Sequence, residues 1–445
     1  MQIKKLAWGA LFSLSLWGLG AQAQKIEFKE YDMPNGLHVI LHEDHNAPVV
    51  AVSVMYHVGS KNESPGRTGF AHFFEHLLFE GTENIKRGDF FKIVSAGGGQ
   101  NNANTTQDRT FYYEIFPSNQ LKLGLWLESE RMLHPVINPI GVKTQNEVVK
   151  EEKRQSFENR PYGKIIDAIA SGLFKTHPYK NGVIGSMKDL DSAKLDEFKS
   201  FFKHFYAPNN AVLAISGDFE TASIKALIDT YFGPIPKGDE VVYKKLEEPA
   251  KKSTEIDTSY DANIQIPAIL TAYKVPGKDS KDSKIMEMIS TELSGGASST
   301  MYKKMVDIKK NALQVFAFNY ALEDYGMYIV GALPNNGAAL PGLLSDMDEE
   351  IVKLQTDLIS EEEYKKLQNK FEDNYVSANT RMLGIDENLA GGYLFYHKNT
   401  NHINEELKEI RSISREDIRE AAKKYLKSDQ RLVLYYLPGK SKSAQ

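Results

Sequence analysis

Asp196–Ile215 reads DEFKSFFKHFYAPNNAVLAI, and Glu416–Tyr435 reads EDIREAAKKYLKSDQRLVLY. Each is an amphipathic helix, a polar or Pro-containing break, and then an apolar run of strand type. The two stretches lie 220 residues apart in a chain of 445. A duplicated α+β unit is the simple explanation. Outward from the first copy, Gly36–Leu41 and Val49–Val58 read as strands. In the second of these, Val50, Val52, Val54, Tyr56 and Val58 fall on one face at period two. Helices are expected from Thr68 to Phe79 and from Pro139, after Asn138, to about Glu158, with a strand at Thr110–Phe116. The second half repeats this logic. Ile264–Val275 reads as a strand, Ser283–Leu293 as a helix and Ala312–Leu333 as a hairpin. Ser360 with Glu363 opens a further helix. Gly238–Asp261 is charged and lacks apolar periodicity, so it reads as a linker.

The first residues belong to no domain. Lys4 and Lys5 precede the apolar stretch Leu6–Gly20, and Ala21-Gln22-Ala23 follows as a small-x-small cleavage pattern. The apolar stretch is shorter than the roughly 20 residues of a membrane span. Residues 1–23 are therefore expected to be an export signal, with a secreted, periplasmic product that keeps no membrane segment. The organisation is then 1–23 signal, 24–237 N-terminal domain, 238–261 linker and 262–445 C-terminal domain. A net charge of −5 argues against nucleic acid as a partner. The chain has no cysteine, so any metal must rest on His, Asp or Glu.

Nine of the eleven histidines lie at or before His204. Two of them fall in His72-Phe73-Phe74-Glu75-His76. Residues four apart share a helix face, so His72 and His76 can present two imidazoles to one ion. Glu75 lies beside them as a carboxylate near any bound water. This is the zinc-hydrolase helix read in reverse order. Zinc also needs a third protein ligand. Glu147, Glu151 and Glu152 are the candidates. Glu152 is preferred because it follows Val148 and Val149 by four and three residues, whereas Glu147 and Glu151 mark a solvated stripe.

His72–His76 followed by Val148-Val149-Lys150-Glu151-Glu152 resembles the pitrilysin-type inverted zinc metallopeptidases, which include insulin-degrading enzyme and the mitochondrial processing peptidases. Gly98-Gly99 to Thr105, Thr110–Tyr113, Asn159–Gly163 and Tyr206–Asn210 extend the resemblance. It implies two similar α+β domains, each an antiparallel β-sheet packed against helices. It also implies one Zn2+ on His72, His76 and Glu152, with Glu75 as general base. By the same resemblance Gln100–Thr105 is an edge strand onto which an extended peptide adds, through Asn102, Ala103, Asn104 and Thr105.

Two positions depart from the family pattern. Gln145 stands where a further Glu is common. An Arg and a Tyr that grip substrate are expected at about Val306 and Gln314, and nearby Tyr302 and Tyr320 do not fit the spacing. The expectation is thus a zinc endopeptidase subunit acting on peptides, with a homologous partner chain as a heterodimer, or a second copy as a homodimer. The alternative is a non-catalytic binding subunit on the same fold.

Overall fold

The computed structural model describes residues 25–439, so the expected signal at 1–23 lies outside the described residues. The first half begins with β1 (Lys29–Asp32), β2 (His38–Glu43), β3 (Val49–Tyr56), α1 (Phe70–Leu77) and α2 (Phe90–Ala96). The hairpin β4 (Gln100–Thr105) and β5 (Thr110–Pro117) follows, then α3 (Leu121–Leu133) and α4 (Pro139–Lys153). It closes with α5 (Ile165–Leu173), α6 (Met187–Ser192), α7 (Leu195–Phe205), β6 (Ala211–Gly217) and α8 (Thr221–Phe232). The second half holds β7 (Glu255–Asp261), β8 (Ala268–Pro276), α9 (Lys281–Ser294), and the hairpin β9 (Ala312–Ala321) and β10 (Tyr325–Pro334). It ends with α10 (Leu340–Thr356), α11 (Glu361–Ala378), α12 (Met382–Phe395), α13 (His402–Ser412), α14 (Arg415–Tyr425) and β11 (Leu432–Pro438). Among the described residues no helix is long and apolar enough to cross a membrane.

The two repeated stretches become α7–β6 and α14–β11, and the duplication extends to the sheets. The strand order is β1-β2-β6-β3-β5-β4 in one and β7-β11-β8-β10-β9 in the other. Apart from β1, the two orders match strand for strand. Both sheets are mainly antiparallel, with one parallel pair each, β2 with β6 and β7 with β11. Local chemistry starts the helices where the sequence marks them. Asn138 accepts a hydrogen bond from the Gly141 N–H at 2.9 Å, with Pro139 in the first turn of α4.

Glu255–Asp261, which the sequence places in the linker, is the strand β7, so the second sheet begins before residue 262. It lies on the outer edge, where Ile256 is 70% and Tyr260 63% exposed. With neither residue buried, no apolar alternation marks the strand. Its place comes from pairing with β11, at the far end of the chain.

The strand β3 is apolar on both faces. Val50, Val52, Val54 and Tyr56 pack with Phe73, Phe74 and Leu125 of their own half. Met55 points the other way, with Ile40, Val212 and Ala214, onto Ile385, Leu389 and Ala390 of α12 in the second half. The exchange is reciprocal. On the second sheet, Leu270, Ala272, Leu432 and Leu434 are covered by Ile169 and Leu173 of α5 in the first half. Each fully buried Leu or Ile contributes about 1.5–3 kcal/mol, so neither half is complete without the other's helix.

Asp386 enters the first sheet on α12, fully buried, where the hydroxyls of Ser216 and Ser53 donate to it. Burial drives its carboxyl well above the ordinary range, against those hydrogen bonds. A carboxyl with a raised folded pKa binds its proton more tightly in the fold than in the unfolded chain. Its contribution is therefore complete below the unfolded value of about 3.9 and is lost as pH rises toward the folded one. Asp386→Asn is neutral at every pH. It is expected to raise the melting midpoint at pH 8 by at least ~2 °C, with the gain shrinking toward pH 4. A difference that does not vary with pH would show that Asp386 is charged in the fold.

Candidate metal centre

The helix α1 is held from three sides. Its first turn follows Gly69 at φ +93°, so no side chain caps it locally. Glu63 does so from a distance, accepting the N–H groups of Gly69 at 2.8 Å and Ala71 at 2.9 Å. The Tyr112 hydroxyl donates to the Phe74 carbonyl at 2.8 Å, and the Tyr206 hydroxyl to the Ala71 carbonyl at 3.3 Å. Gly185 closes against the same turn, where a Cβ would stand 2.2 Å from the Gly69 nitrogen. One face of α1 is thereby fixed in the core. The other presents His72, Glu75 and His76, whose ligand atoms lie within 4.8 Å of one another.

The helix α4 lies across α1 and brings Glu152 to the two imidazoles. His76 Nε2 is 3.1 Å from Glu152 Oε2, and His72 Nε2 is 3.6 Å from Oε1. Hydrogen bonds to His72 and His76, in that order of weight, hold the Glu152 carboxyl well below the usual range. Glu151 points to solvent and pairs with Arg154 at 3.0 Å, while Glu147 pairs with Lys150 at 3.2 Å. Of the two valines that suggested the buried face, Val149 is fully buried and Val148 is 43% exposed. Gln145 donates to Glu80 rather than to either histidine.

The donor set suits a small divalent ion. Two imidazole nitrogens and one carboxylate converge on one point, with side chains that are 10%, 22% and 34% exposed. That leaves a solvent-facing side for a fourth ligand, as in catalytic zinc sites. Glu152 turns one oxygen toward each imidazole, the nearer to His76. The Nδ1 of His72 is buried with no protein partner.

A cleft of about 420 Å³ opens at this point, lined by His72, Glu75, Glu152, Asn104, Thr105 and Tyr320 among others. Asn104 and Thr105 belong to β4, which pairs with β5 on one side and with no strand on the other among the described residues. Asn102 and Ala103 do not line the cleft. Ala103 packs into the core, and the Asn102 side chain accepts the Ala103 N–H at 2.9 Å. Neither Val306 nor Gln314 lines it. Val306 packs against the second core, and Gln314 is exposed on β9. Tyr320, at the far end of β9, does line it, and its hydroxyl donates to Gln107 Oε1 at 3.3 Å. Sequence spacing missed this residue, as it missed Glu63. Tyr320 reaches the site from the second half and Glu63 across the loop before α1, and no helix or strand period signals either contact.

Comparison with known proteins bears on the family and the fold. A family signature described as Insulinase (Peptidase family M16) matches residues 38–186, and one described as Peptidase M16 inactive domain matches residues 192–371. A protein named zinc protease PqqE from Helicobacter pylori is 27% identical over 423 residues, covering 94% of each chain. A crystal structure of a protease from Helicobacter pylori superposes with a TM-score of 0.87 at 26% identity, over 93% of this chain and 100% of that one. The periplasmic protease PqqL from Escherichia coli shares the fold, with a TM-score of 0.75 at 16% identity, and this chain spans 48% of its length. With two signatures of one family following each other along the chain, and a similar chain named a zinc protease, the protein belongs to the M16 insulinase family of peptidases.

Proposed function

We propose that the chain is an exported zinc endopeptidase unit, with His72, His76 and Glu152 holding one Zn2+ and Glu75 acting as general base. The convergence of those three side chains beside Glu75, next to the open edge of β4, carries the reading. Zn2+ held there supplies a Lewis acid that polarises the scissile carbonyl and makes water more acidic. The residues do the rest. An extended peptide pairs its backbone with the free edge of β4, along Asn102, Ala103, Asn104 and Thr105. This sets its carbonyl against the metal site. Glu75 takes the proton from the attacking water and passes it to the leaving amine, so the C–N bond breaks to a carboxylate and an amine. Tyr320 walls the cleft from the second half.

The basic and apolar leader ending at Ala23 supports export, to the periplasm of a bacterium. A partner chain is supported by Val306 and Gln314 standing where an Arg and a Tyr are expected, and by a fold neighbour in which this unit is about half the chain.

Glu75→Gln is expected to lower peptide turnover by more than ~100-fold with the metal retained. Unchanged turnover would favour the non-catalytic reading. Metal analysis of Glu152→Ala and Glu151→Ala separates the third ligand from its neighbour. Loss is expected in the first and full occupancy in the second, and equal loss in both defeats the assignment. Native mass and peptide cleavage, measured with the chain alone and with a homologous chain added, test the partner. Full activity from a monomer would remove it.

A further inference from the structure

Two hairpin turns meet where the halves touch. Thr106–Arg109 joins β4 to β5, and Leu322–Asp324 joins β9 to β10. They occupy equivalent places in the duplicated unit. The Lys61 N–H donates to the Gln107 carbonyl at 3.0 Å, and the Lys278 N–H to the Leu322 carbonyl at 2.8 Å. Between the turns lies Asp108, which is 0% exposed. Its Oδ1 accepts from the Tyr179 hydroxyl at 2.5 Å and lies 3.1 Å from Lys61 Nζ. Its Oδ2 accepts the Glu323 N–H at 2.8 Å and lies 3.9 Å from Lys278 Nζ. His57 pairs with Glu323 at 2.8 Å, and His177 with Asp324 at 3.0 Å.

The residues on either side of Asp108 also cross between the halves. Gln107 accepts from Tyr320 on β9. Arg109 donates to Asn104 on β4 and pairs with Glu387 on α12. Three consecutive residues, immediately after the substrate edge, thus hold three different elements of the second half. Burying several carboxylates and lysines together is a poor way to gain stability. It does impose geometry, because each charge has few positions in which it is matched. β4 has hydrogen-bonded neighbours on one side only, so it is among the easier parts of the sheet to displace.

We propose that Asp108 and its buried partners form a joint that fixes β4 relative to the Tyr320 wall, making Asp108 a positioning residue for peptide binding. The inference rests on the reading of β4 as the peptide-binding edge. Through this joint the second half acts on substrate without touching the metal ligands.

The test uses the full chain with Asp108→Asn, and with Glu323→Gln on the opposite turn. Hydrogen exchange of β4 is compared with that of α1 and β5, and KM and kcat are measured on an extended peptide. Faster exchange is expected in β4 and in the β5 amides that pair with it, with α1 and zinc content unchanged. KM should rise about 10-fold and kcat change by less than about threefold, as when uniform binding is lost. A merely structural role would raise exchange across all three elements together. That outcome, or β4 exchange unchanged in a folded variant, overturns the proposal. Faster β4 exchange with an unchanged KM overturns the link to substrate. Should Asp108→Asn fail to fold, Glu323→Gln carries the same readouts. Exchange needs no turnover, so it still decides the joint if the unsubstituted chain cleaves no peptide.

Discussion

A sheet that is apolar on both faces must be covered on both, and here each half supplies cover for only one face of its own. The second cover is borrowed, α12 lying on the first sheet and α5 on the second. This constraint makes two duplicated units one body. The cleft follows from it. Glu152 comes in the last turn of α4, and α5 begins only thirteen residues after it on its way to the other sheet. The chain that leaves Glu152 thus runs directly along the seam between the halves. Tyr320 faces His72 and Glu75 because the exchanged helices bring β9 up to that seam.

Precision at the site comes from buried polar contacts rather than from the ligands themselves. Tyr112 holds the Phe74 carbonyl within the His72–His76 turn. Its ring lies 4.4 Å from the guanidinium of Arg131, which also faces the rings of Phe79 and Phe90. Arg131 is fully buried between Glu114 at 2.9 Å and Glu128 at 3.1 Å. Burial pushes the Glu114 carboxyl up, as does the neighbouring Glu128, and Arg131 works against both. A guanidinium with its Nη2 between two acidic side chains and three rings against it has little freedom to move. It makes a firm floor beneath the helix that carries the histidines.

Much of the site was legible because it is local. His72, Glu75 and His76 share a helix face by the 3.6-residue period alone. Glu152 was separable from Glu151 because neighbours on a helix point about 100° apart, although only one of the two valines used for the argument is buried. Asn104 and Thr105 reach the cleft while Asn102 and Ala103 do not, since the cleft meets only the C-terminal end of β4. Glu63, Tyr320 and Asp108 were not legible as site residues. Tyr320 and Asp108 act on groups from distant parts of the chain, and Glu63 on N–H groups six and eight residues ahead, and no helix or strand period encodes such contacts.

By itself the sequence determined the duplication, the helix that carries His72, Glu75 and His76 on one face, and the family. The first two are written in spacing and the third in the resemblance of its motifs to a known family, all properties of the chain before it folds. Tertiary structure alone decided that β7 belongs to the second sheet, that α5 and α12 change places, and that the second half walls the cleft. Those outcomes depend on which apolar face finds which cover. Burial is non-directional, so a buried Leu389 and a buried Leu125 look alike in sequence while lying on opposite faces of one sheet.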